Sequence, residues 1–195
     1  MKHFSLLLSL TLLVMTSCGH DNSDRLTFDL NGPATQVHPS VFEISNTAAA
    51  GHAEFSSDGK LLTLNGTDVT AENGSYTILR DKNGRIESII SEEGEEEKTV
   101  TYTYNNKGQV AGYTVYWINL DFDDEPLGWE VTRTFNDDGL VTVETFENPE
   151  GATIVYTYTY TEFDDQGNWT SRQVSEPGQN LVDYPESRTI IYYSL

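Results

Sequence analysis

The sequence is poor in cysteine and in positive charge, and both shortages exclude whole classes of protein. Cys18 is the single cysteine among 195 residues, so no disulfide can form within the chain. Lysine and arginine number 11 against 31 aspartates and glutamates, which gives a formal net charge of −20. A surface this acidic repels phosphate backbones, and we therefore predict that the protein does not bind nucleic acid.

Long apolar runs are also scarce. One run extends from Phe4 to Val14, and no later segment approaches its length. It is shorter than the ~20 residues that a membrane-spanning helix needs. Because the run follows Lys2 and precedes the small residues Thr16 and Ser17, it has the layout of a secretory signal. We predict that residues 1–17 are a signal peptide and that the mature chain has no membrane-spanning helix.

The residues around the cysteine suggest a use for it. Met15-Thr16-Ser17-Cys18 resembles the lipobox of bacterial lipoproteins, although leucine is commoner than methionine at the first position. The resemblance implies that Cys18 is acylated and becomes the new N-terminus, which would hold the protein on a membrane. The alternative is ordinary signal cleavage that leaves a free thiol. We expect residues 18–24 to be a lipidated cysteine with an acidic tether, and residues 25–195 to form a single β-hairpin-repeat domain.

Helical periodicity is missing over any stretch of 11 or more residues, and a turn motif recurs instead. In the motif, Ser, Asp or Asn precedes a glycine by three residues, and the glycines are 24 to 31 residues apart. Such a period is typical of repeat architectures. The five copies are FSSDGKL, RDKNGRI, YNNKGQV, FNDDGLV and FDDQGNW, with glycines at Gly59, Gly84, Gly108, Gly139 and Gly167.

The spacing within the motif predicts a three-residue hairpin loop with a bulge. Asp, Asn or Ser favours the first position of a type I turn, and glycine favours the left-handed position that ends the loop. The residue before each turn should then face the second residue after the glycine. The predicted cross-strand pairs are Phe55–Leu61, Arg80–Ile86, Tyr104–Val110, Phe135–Val141 and Phe163–Trp169.

Alternating side chains around these turns predict strands. Residues 97–104 and 154–161 place apolar or aromatic residues at every second position, with threonine prominent between them. Tyr160 and Phe163 have opposite parity, which predicts a bulge near Thr161–Glu162. We also predict a first strand within residues 25–32 and a last strand within residues 189–193.

These observations predict an all-β fold. Its expected form is an antiparallel meander of about five degenerate β-hairpin repeats, with roughly ten to twelve strands in a long twisted or curved sheet. The alternative is the same meander closed into a sandwich or barrel.

The best copy of the motif, FDDQGNW, resembles the tyrosine-aspartate (YD) repeats of the RHS type, whose core reads aromatic-Asp-x-x-Gly-Asn. Tyr104 and Phe135 begin weaker copies. The whole plan is similar to that of small surface lipoproteins of Bacteroidota, and Asp21 and Asp24 resemble their export signal. The resemblance implies an exported outer-membrane lipoprotein, exposed at the cell surface. It does not extend to the cargo-enclosing shell of the large RHS toxins, because about five hairpins cannot close such a shell.

No pattern of catalytic residues emerges. Asp164 and Asp165 are adjacent at a turn tip, where the turn itself accounts for Asp164. The chain has no Gly-x-Ser-x-Gly elbow, paired-histidine zinc motif or phosphate-binding glycine loop. We therefore predict no enzymatic activity and no cofactor. A hydrolase built from carboxylates gathered in space is the less favoured alternative.

Two further groups are candidate binding residues. Asp121, Asp123 and Glu125 alternate as calcium ligands do, but Pro126 stands where an EF-hand loop requires glycine, so this metal site is a weak candidate. Aromatic side chains could stack on sugar rings or contact a partner's strand, although aromatics at alternating positions more often pack in the core or across strands. These aromatic candidates are Trp117, Trp129, Tyr113 and Tyr116.

Taken together, the sequence favours a non-enzymatic, membrane-anchored surface module that binds a glycan or protein partner. The alternative is a structural or accessory envelope protein that docks a partner by its free sheet edge.

Overall fold

A computed structural model of the chain describes residues 23–30, 34–40, 52–71, 74–93, 96–119, 127–176 and 183–193. Over these ranges the fold is all-β, with one antiparallel sheet of 13 strands and one short 3-10 helix, Asp24–Phe28. No helix in the described ranges is long and apolar enough to cross a membrane. The strands are β1 (Ala34–Ser40), β2 (Ala53–Phe55), β3 (Leu61–Leu64), β4 (Thr67–Asp68), β5 (Tyr76–Arg80), β6 (Ile86–Glu93), β7 (Glu96–Tyr104), β8 (Val110–Asn119), β9 (Leu127–Phe135), β10 (Val141–Glu147), β11 (Thr153–Phe163), β12 (Trp169–Ser175) and β13 (Tyr184–Tyr192).

The strand order makes the sheet a nearly closed barrel. The order is β4-β3-β2-β1-β13-β12-β11-β10-β9-β8-β7-β6-β5. Among the described strands, neighbours in sequence are therefore neighbours in the sheet except β4 and β5, and β13 returns to pair with β1. The predicted antiparallel meander is confirmed, and it takes the barrel form given above as the alternative.

The open seam lies between β4 and β5, the two strands that would meet if the barrel closed. Strand directions alternate in an antiparallel meander, so an odd number of strands cannot close without two neighbours that run the same way. In this sheet β4 and β5 are those neighbours, and β4 is only two residues long. The outer sides of β4 and β5 are consequently the two edges of the sheet.

The five turn motifs form the predicted hairpin loops. Their glycines have φ between 78° and 86°, and each glycine N–H donates to the carbonyl oxygen of the first turn residue. All five predicted cross-strand pairs are present in the register. Because the five loops join alternate pairs of strands in the meander, they lie together at one end of the barrel, which we call the turn rim.

A bulge follows each turn and changes which side chains face inward. After the β5–β6 turn, Arg80 pairs with Ile86 and Leu79 pairs with Ser88, so Glu87 is the extra residue. Ile86 and Ile89 are therefore both buried, although a regular strand would place them on opposite faces. The separately predicted bulge is also present, because Tyr160 pairs with Arg172 and Glu162 with Ser171.

The first strand predicted within residues 25–32 is wrong, because Asp24–Phe28 is a 3-10 helix. Ser23 caps it by accepting a hydrogen bond from the Arg25 N–H at 3.1 Å, and Asp29 ends it in the left-handed conformation. This segment cannot pair beside the β1 strand that follows it, because β1 already pairs with β2 and β13. It packs instead against the turn rim, and we call residues 23–30 the plug. The folded region thus includes Ser23 and Asp24, which precede the expected start of the domain.

One part of the barrel interior is an apolar core. Val100 and Val115 lie opposite each other on β7 and β8, Val131 of β9 lies opposite Tyr113, and the three valines are each 1% exposed. They belong to a core cluster that also includes Phe28 of the plug. Alternation places Thr101 and Thr103 on the outer face of β7.

Candidate functional site

The four aromatic candidates do not share one face of the sheet. Cross-strand register places Tyr113, Trp117 and Trp129 on the inner face. Tyr113 is buried at 5% exposure, and the half-buried rings of Trp117 and Trp129 pack against the core. Tyr116 points outward and is 44% exposed. The structure therefore does not assemble these four rings into one stacking platform.

Tyr116 lies at the centre of an exposed patch on the outer face. Ile118, two residues further along β8, is 36% exposed, and Thr99 of β7 lies opposite Tyr116 with Ile90 of β6 beyond it. We call these four residues the outer patch.

A glycine on the next strand supports the ring of Tyr116. A Cβ atom at Gly128 of β9 would lie 2.4 Å from Cδ1 of Tyr116. The aromatic ring therefore occupies the space that a side chain at this position would fill, and the ring lies against the backbone of β9.

The sequence interpretation missed a network of buried charges inside the barrel. Arg133 and Glu144 lie opposite each other on β9 and β10, with Nε and Oε1 2.7 Å apart. The hydroxyl of Tyr158 donates to the other oxygen of Glu144. Asp29 of the plug lies 3.3 Å from Nη1 of Arg133. The network therefore joins three strands to the plug.

A second buried pair continues this network. Nε of Arg172 on β12 lies 2.5 Å from Oε2 of Glu186 on β13. The guanidinium of Arg172 also lies over the rings of Tyr158 and Trp169, 3.9 Å and 4.3 Å from their centroids. Glu144 and Arg172 each follow a turn glycine by five residues, and the bulge turns that position inward. The turn motif could therefore have predicted, from the sequence, that both charged side chains face inward.

The buried charges remain ionised because they are paired. Burial raises the pKa of Glu144, but the charge of Arg133 and the hydrogen bond from Tyr158 outweigh it, so this pKa lies below its ordinary value. Burial disfavours charged Arg172, yet Glu186 and the neighbouring tyrosines raise its pKa above the usual range. A buried ion pair of this kind adds little net stability, because the cost of removing both charges from water offsets their attraction.

Arg188 connects the plug to the sheet by a different means. Its Nε donates to the carbonyl oxygen of Trp169 at 2.7 Å. Its Nη1 donates to the carbonyl oxygen of Phe28 at 3.2 Å, and its Nη2 donates to the carbonyl oxygen of Asp29 at 2.9 Å. The guanidinium lies 3.9 Å from the centroid of the Trp169 ring. Burial lowers the pKa of Arg188 to about 10, which leaves it protonated at neutral pH.

A small cavity of about 60 Å³ lies between the plug and the turn rim. It has room for a few water molecules and is too small for a sugar ring. Asn168 in its wall already donates to the Tyr192 hydroxyl at 2.6 Å, and Gln109 donates to the Gly139 carbonyl at 2.8 Å. The lining residues are Leu26, Asp29, Leu30, Gln109, Gly139, Leu140, Val141, Tyr160, Gly167, Asn168 and Trp169.

The structure does not describe the candidate metal ligands, and it gives Asp164 a structural role in its turn. Asp121, Asp123 and Glu125 lie outside the described residues. Among the residues that are described, no group of three or more His, Cys, Asp or Glu side chains could hold a metal ion. Asp164 serves as the turn cap: its Oδ1 accepts hydrogen bonds from the backbone N–H groups of Gln166 and Asn168, both at 2.9 Å.

The plug also fastens the seam of the barrel at the turn rim. Asp24 is fully buried and accepts a hydrogen bond from the backbone N–H of Leu61 in β3 at 2.8 Å. Its two oxygens also accept hydrogen bonds from Arg80 at the end of β5. Lys60 adds a hydrogen bond to the Gly84 carbonyl at 3.3 Å. One carboxylate therefore contacts both sides of the gap.

Comparisons with known proteins leave the family open. No protein-family model matches the chain, and no curated protein matches it. Among solved structures, the chain is similar to a porin-like protein from Bacteroides vulgatus ATCC 8482. The TM-score is 0.44 at 11% identity, over 84% of this chain and 100% of that one. A similarity this distant assigns no function to the chain.

Proposed function

We propose that the protein is a non-enzymatic surface lipoprotein, anchored to the outer membrane through acylated Cys18, that binds a protein partner through the outer patch. The observation that carries this proposal is the exposure of Tyr116 and Ile118 on an ordered sheet face, beside a barrel interior that is filled with side chains. Binding on such a fold uses the outside of the barrel.

The outer face supports attachment by a lipid rather than by the strands themselves. On β7, Thr99 and Thr103 face outward, whereas Val100 and Tyr102 are buried. Hydroxyl side chains of this kind suit contact with water. The acyl chains on Cys18 would then supply the membrane affinity, since each buried methylene contributes about 0.8 kcal/mol.

The buried carboxylates support binding rather than catalysis. Asp24, Glu144 and Glu186 each form an ion pair with an arginine. A general acid needs a carboxyl group whose pKa is raised toward the working pH, whereas the pKa of Glu144 is lowered. We therefore propose structural roles for these acids.

A protein partner fits the patch better than a glycan does. Sugar-binding sites present the flat faces of aromatic rings, but Trp117 and Trp129 pack against the core. The patch combines one tyrosine with aliphatic and threonine side chains, and Glu97 lies opposite Ile118 at its border. A partner with an apolar centre and a basic border would complement this surface.

The test compares wild type with the double variant Tyr116→Ser/Ile118→Ser, with Leu62→Ser as the control. Leu62 is also exposed, at 39%, but lies on β3. Purified protein is used to capture extracellular proteins and to probe a glycan array. We expect a captured protein that the double variant loses at least ~10-fold, because apolar anchors dominate such interfaces, and that Leu62→Ser retains. Glycan binding that survives the double substitution would refute the proposal.

The free sheet edge favours a second function, that of an accessory protein which docks a partner strand on β5. The outer edge of β5 lacks a paired strand in the described sheet, and Leu79 on it is 46% exposed. Charged residues on edge strands oppose strand addition. A partner of fixed stoichiometry that Leu79→Lys releases and Tyr116→Ser/Ile118→Ser retains would support this function over the first.

A further inference from the structure

Most exposed positive charge of this acidic molecule lies in one part of the turn rim, whereas the β9–β10 and β11–β12 loops of the same rim carry Asp137, Asp138, Asp164 and Asp165. In the described residues, Lys82 and Lys107 are exposed and Arg80 is partly exposed beside Asp24, and all three lie in or beside the β5–β6 and β7–β8 loops of the turn rim. Lys60 in the β2–β3 loop and Arg85 in the β5–β6 loop lie at the same rim. The chain as a whole carries a formal charge of −20.

These loops form a basic sector, defined here as residues 55–61, 80–86 and 104–110 together with Asp24 and Arg25. The sector contains six cations and three acids, a net charge of +3. The cations are Arg25, Lys60, Arg80, Lys82, Arg85 and Lys107, and the acids are Asp24, Asp58 and Asp81.

The opposite end of the barrel is acidic. The described residues where β6, β7, β10, β11, β12 and β13 begin or end at that end include Glu92, Glu96, Glu97, Glu147, Glu150, Glu176 and Asp183. A strand of nine residues such as β7 spans roughly 30 Å. Charges in water at physiological salt are screened over about 8 Å. The distant acids therefore do not cancel the field of the basic sector at a surface in contact with it.

The N-terminal segment joins the fold inside this sector. The Asp24 N–H donates to the carbonyl oxygen of Gly59 at 2.9 Å, and the Ser23 hydroxyl lies 3.2 Å from the same oxygen. Cys18 precedes Ser23 by five residues, and five residues reach at most about 18 Å. A group attached to Cys18 is thus always close to the β2–β3 loop.

We propose that the basic sector is the membrane-facing surface of the protein, with Lys60, Lys82 and Lys107 against the phosphate groups of anionic lipid headgroups. The acidic end then points away from the membrane. The proposal rests on the proposed function in one respect, the lipid on Cys18. Each basic residue at an anionic surface strengthens attraction by about fivefold, and tethering keeps the sector at high local concentration, so that these contacts orient the barrel.

The experiment tethers the mature chain without relying on acylation in the cell. Because Cys18 is the single cysteine, a maleimide lipid couples the purified chain to vesicles at that position. The vesicles contain phosphatidylcholine alone, or phosphatidylcholine with phosphatidylglycerol. Acetylation of lysines by a water-soluble reagent is then followed by mass spectrometry, with Lys98 of β7, near the acidic end, as the internal reference.

We expect Lys82 and Lys107 to react at least ~3-fold more slowly on anionic vesicles, and this protection to vanish in ~1 M salt, where the screening length is about 3 Å. Lys98 should react equally on both vesicles. In Lys82→Glu/Lys107→Glu the protection of Lys60 should be lost, with an unchanged circular dichroism spectrum. Equal reactivity of Lys82 and Lys107 on the two vesicles, or protection of Lys98 instead, would overturn the proposal.

The orientation of the barrel and its lipid anchor are tested separately. If Cys18 carries no lipid in cells, the proposed anchor is wrong, whereas the vesicle result with the chemical tether still reports the orientation. If Cys18 is acylated and the lysines are unprotected on anionic vesicles, the anchor stands and the orientation is wrong.

Discussion

Arg80 donates two hydrogen bonds to the carboxylate of Asp24, at 2.6 Å from Nη1 and 2.8 Å from Nη2. Asp24 belongs to the plug, and Arg80 ends β5 at the edge of the sheet. In the other four hairpins at the rim, the residue before the turn is aromatic: it is Phe in three and Tyr in one. Arg80 occupies this position in the β5–β6 hairpin, and its guanidinium reaches from β5 to the carboxylate of Asp24.

Removing this contact should destabilise the fold strongly. Asp24→Ala leaves Arg80 and the Leu61 N–H without their buried acceptor, and loss of one partner of a buried pair costs about 3–5 kcal/mol. Urea unfolding followed by tryptophan fluorescence measures the change. Asp58→Ala removes an exposed acid from the neighbouring loop and should change the free energy of unfolding by less than about 0.5 kcal/mol. Similar effects of the two substitutions would contradict the role of the plug.

Two turn glycines with similar φ should differ in their tolerance of alanine. Both substitutions place a side chain in the left-handed region, which costs about 1–2 kcal/mol. At Gly59 the new Cβ would also lie 2.2 Å from Oγ of Ser23, whereas nothing lies within 4 Å at Gly167. We expect Gly59→Ala to be worse by about 1 kcal/mol or more in thermal or urea unfolding. Gly167→Asn, with a residue that tolerates positive φ, should be nearly neutral. Equal losses at the two glycines would show that the plug does not press on the β2–β3 loop.

The buried Glu144 should make the fold sensitive to acid. Its pKa in the folded state is lowered from the ordinary value of 4.5, since Arg133 and Tyr158 outweigh the effect of burial. A lowered folded pKa stabilises the protein above the unfolded pKa, and this stability is lost as pH falls through the folded pKa. Glu144→Gln should therefore reduce stability at neutral pH and flatten its decline below pH 4.5. Urea midpoints across this range test the effect, and Glu147→Gln, at an exposed position of the same strand, should leave the pH profile unchanged.

Acylation of Cys18 predicts a simple fractionation result. Cys18→Ser should abolish incorporation of a fatty-acid label and move the protein from the membrane fraction to the soluble fraction, because the attachment site for the acyl chains is lost. Ser17→Ala keeps a small residue before the cysteine and should preserve both labelling and location. Membrane association of Cys18→Ser at wild-type levels would argue for attachment by another route.

Local chemistry made much of the fold predictable from the sequence. Gly59 and Gly167 could be assigned positive φ from their own loops, because a polar side chain three residues earlier and an absent Cβ define the turn within a few residues. The pair Tyr104–Val110 and the bulge at Thr161 followed from the same short-range geometry. Inward-facing Glu144 and Arg172 were within reach of this reasoning, since the bulge fixes the face of the residue five positions after the glycine.

The amino-acid sequence alone thus determined the hairpins, their register and the all-β class, because each depends on residues adjacent along the chain. Tertiary structure alone decided that β13 returns to β1, that residues 23–30 plug the turn rim, and that Tyr116 is exposed while Trp129 packs against the core. These outcomes depend on which distant strands become neighbours, and no local pattern of side chains encodes that choice.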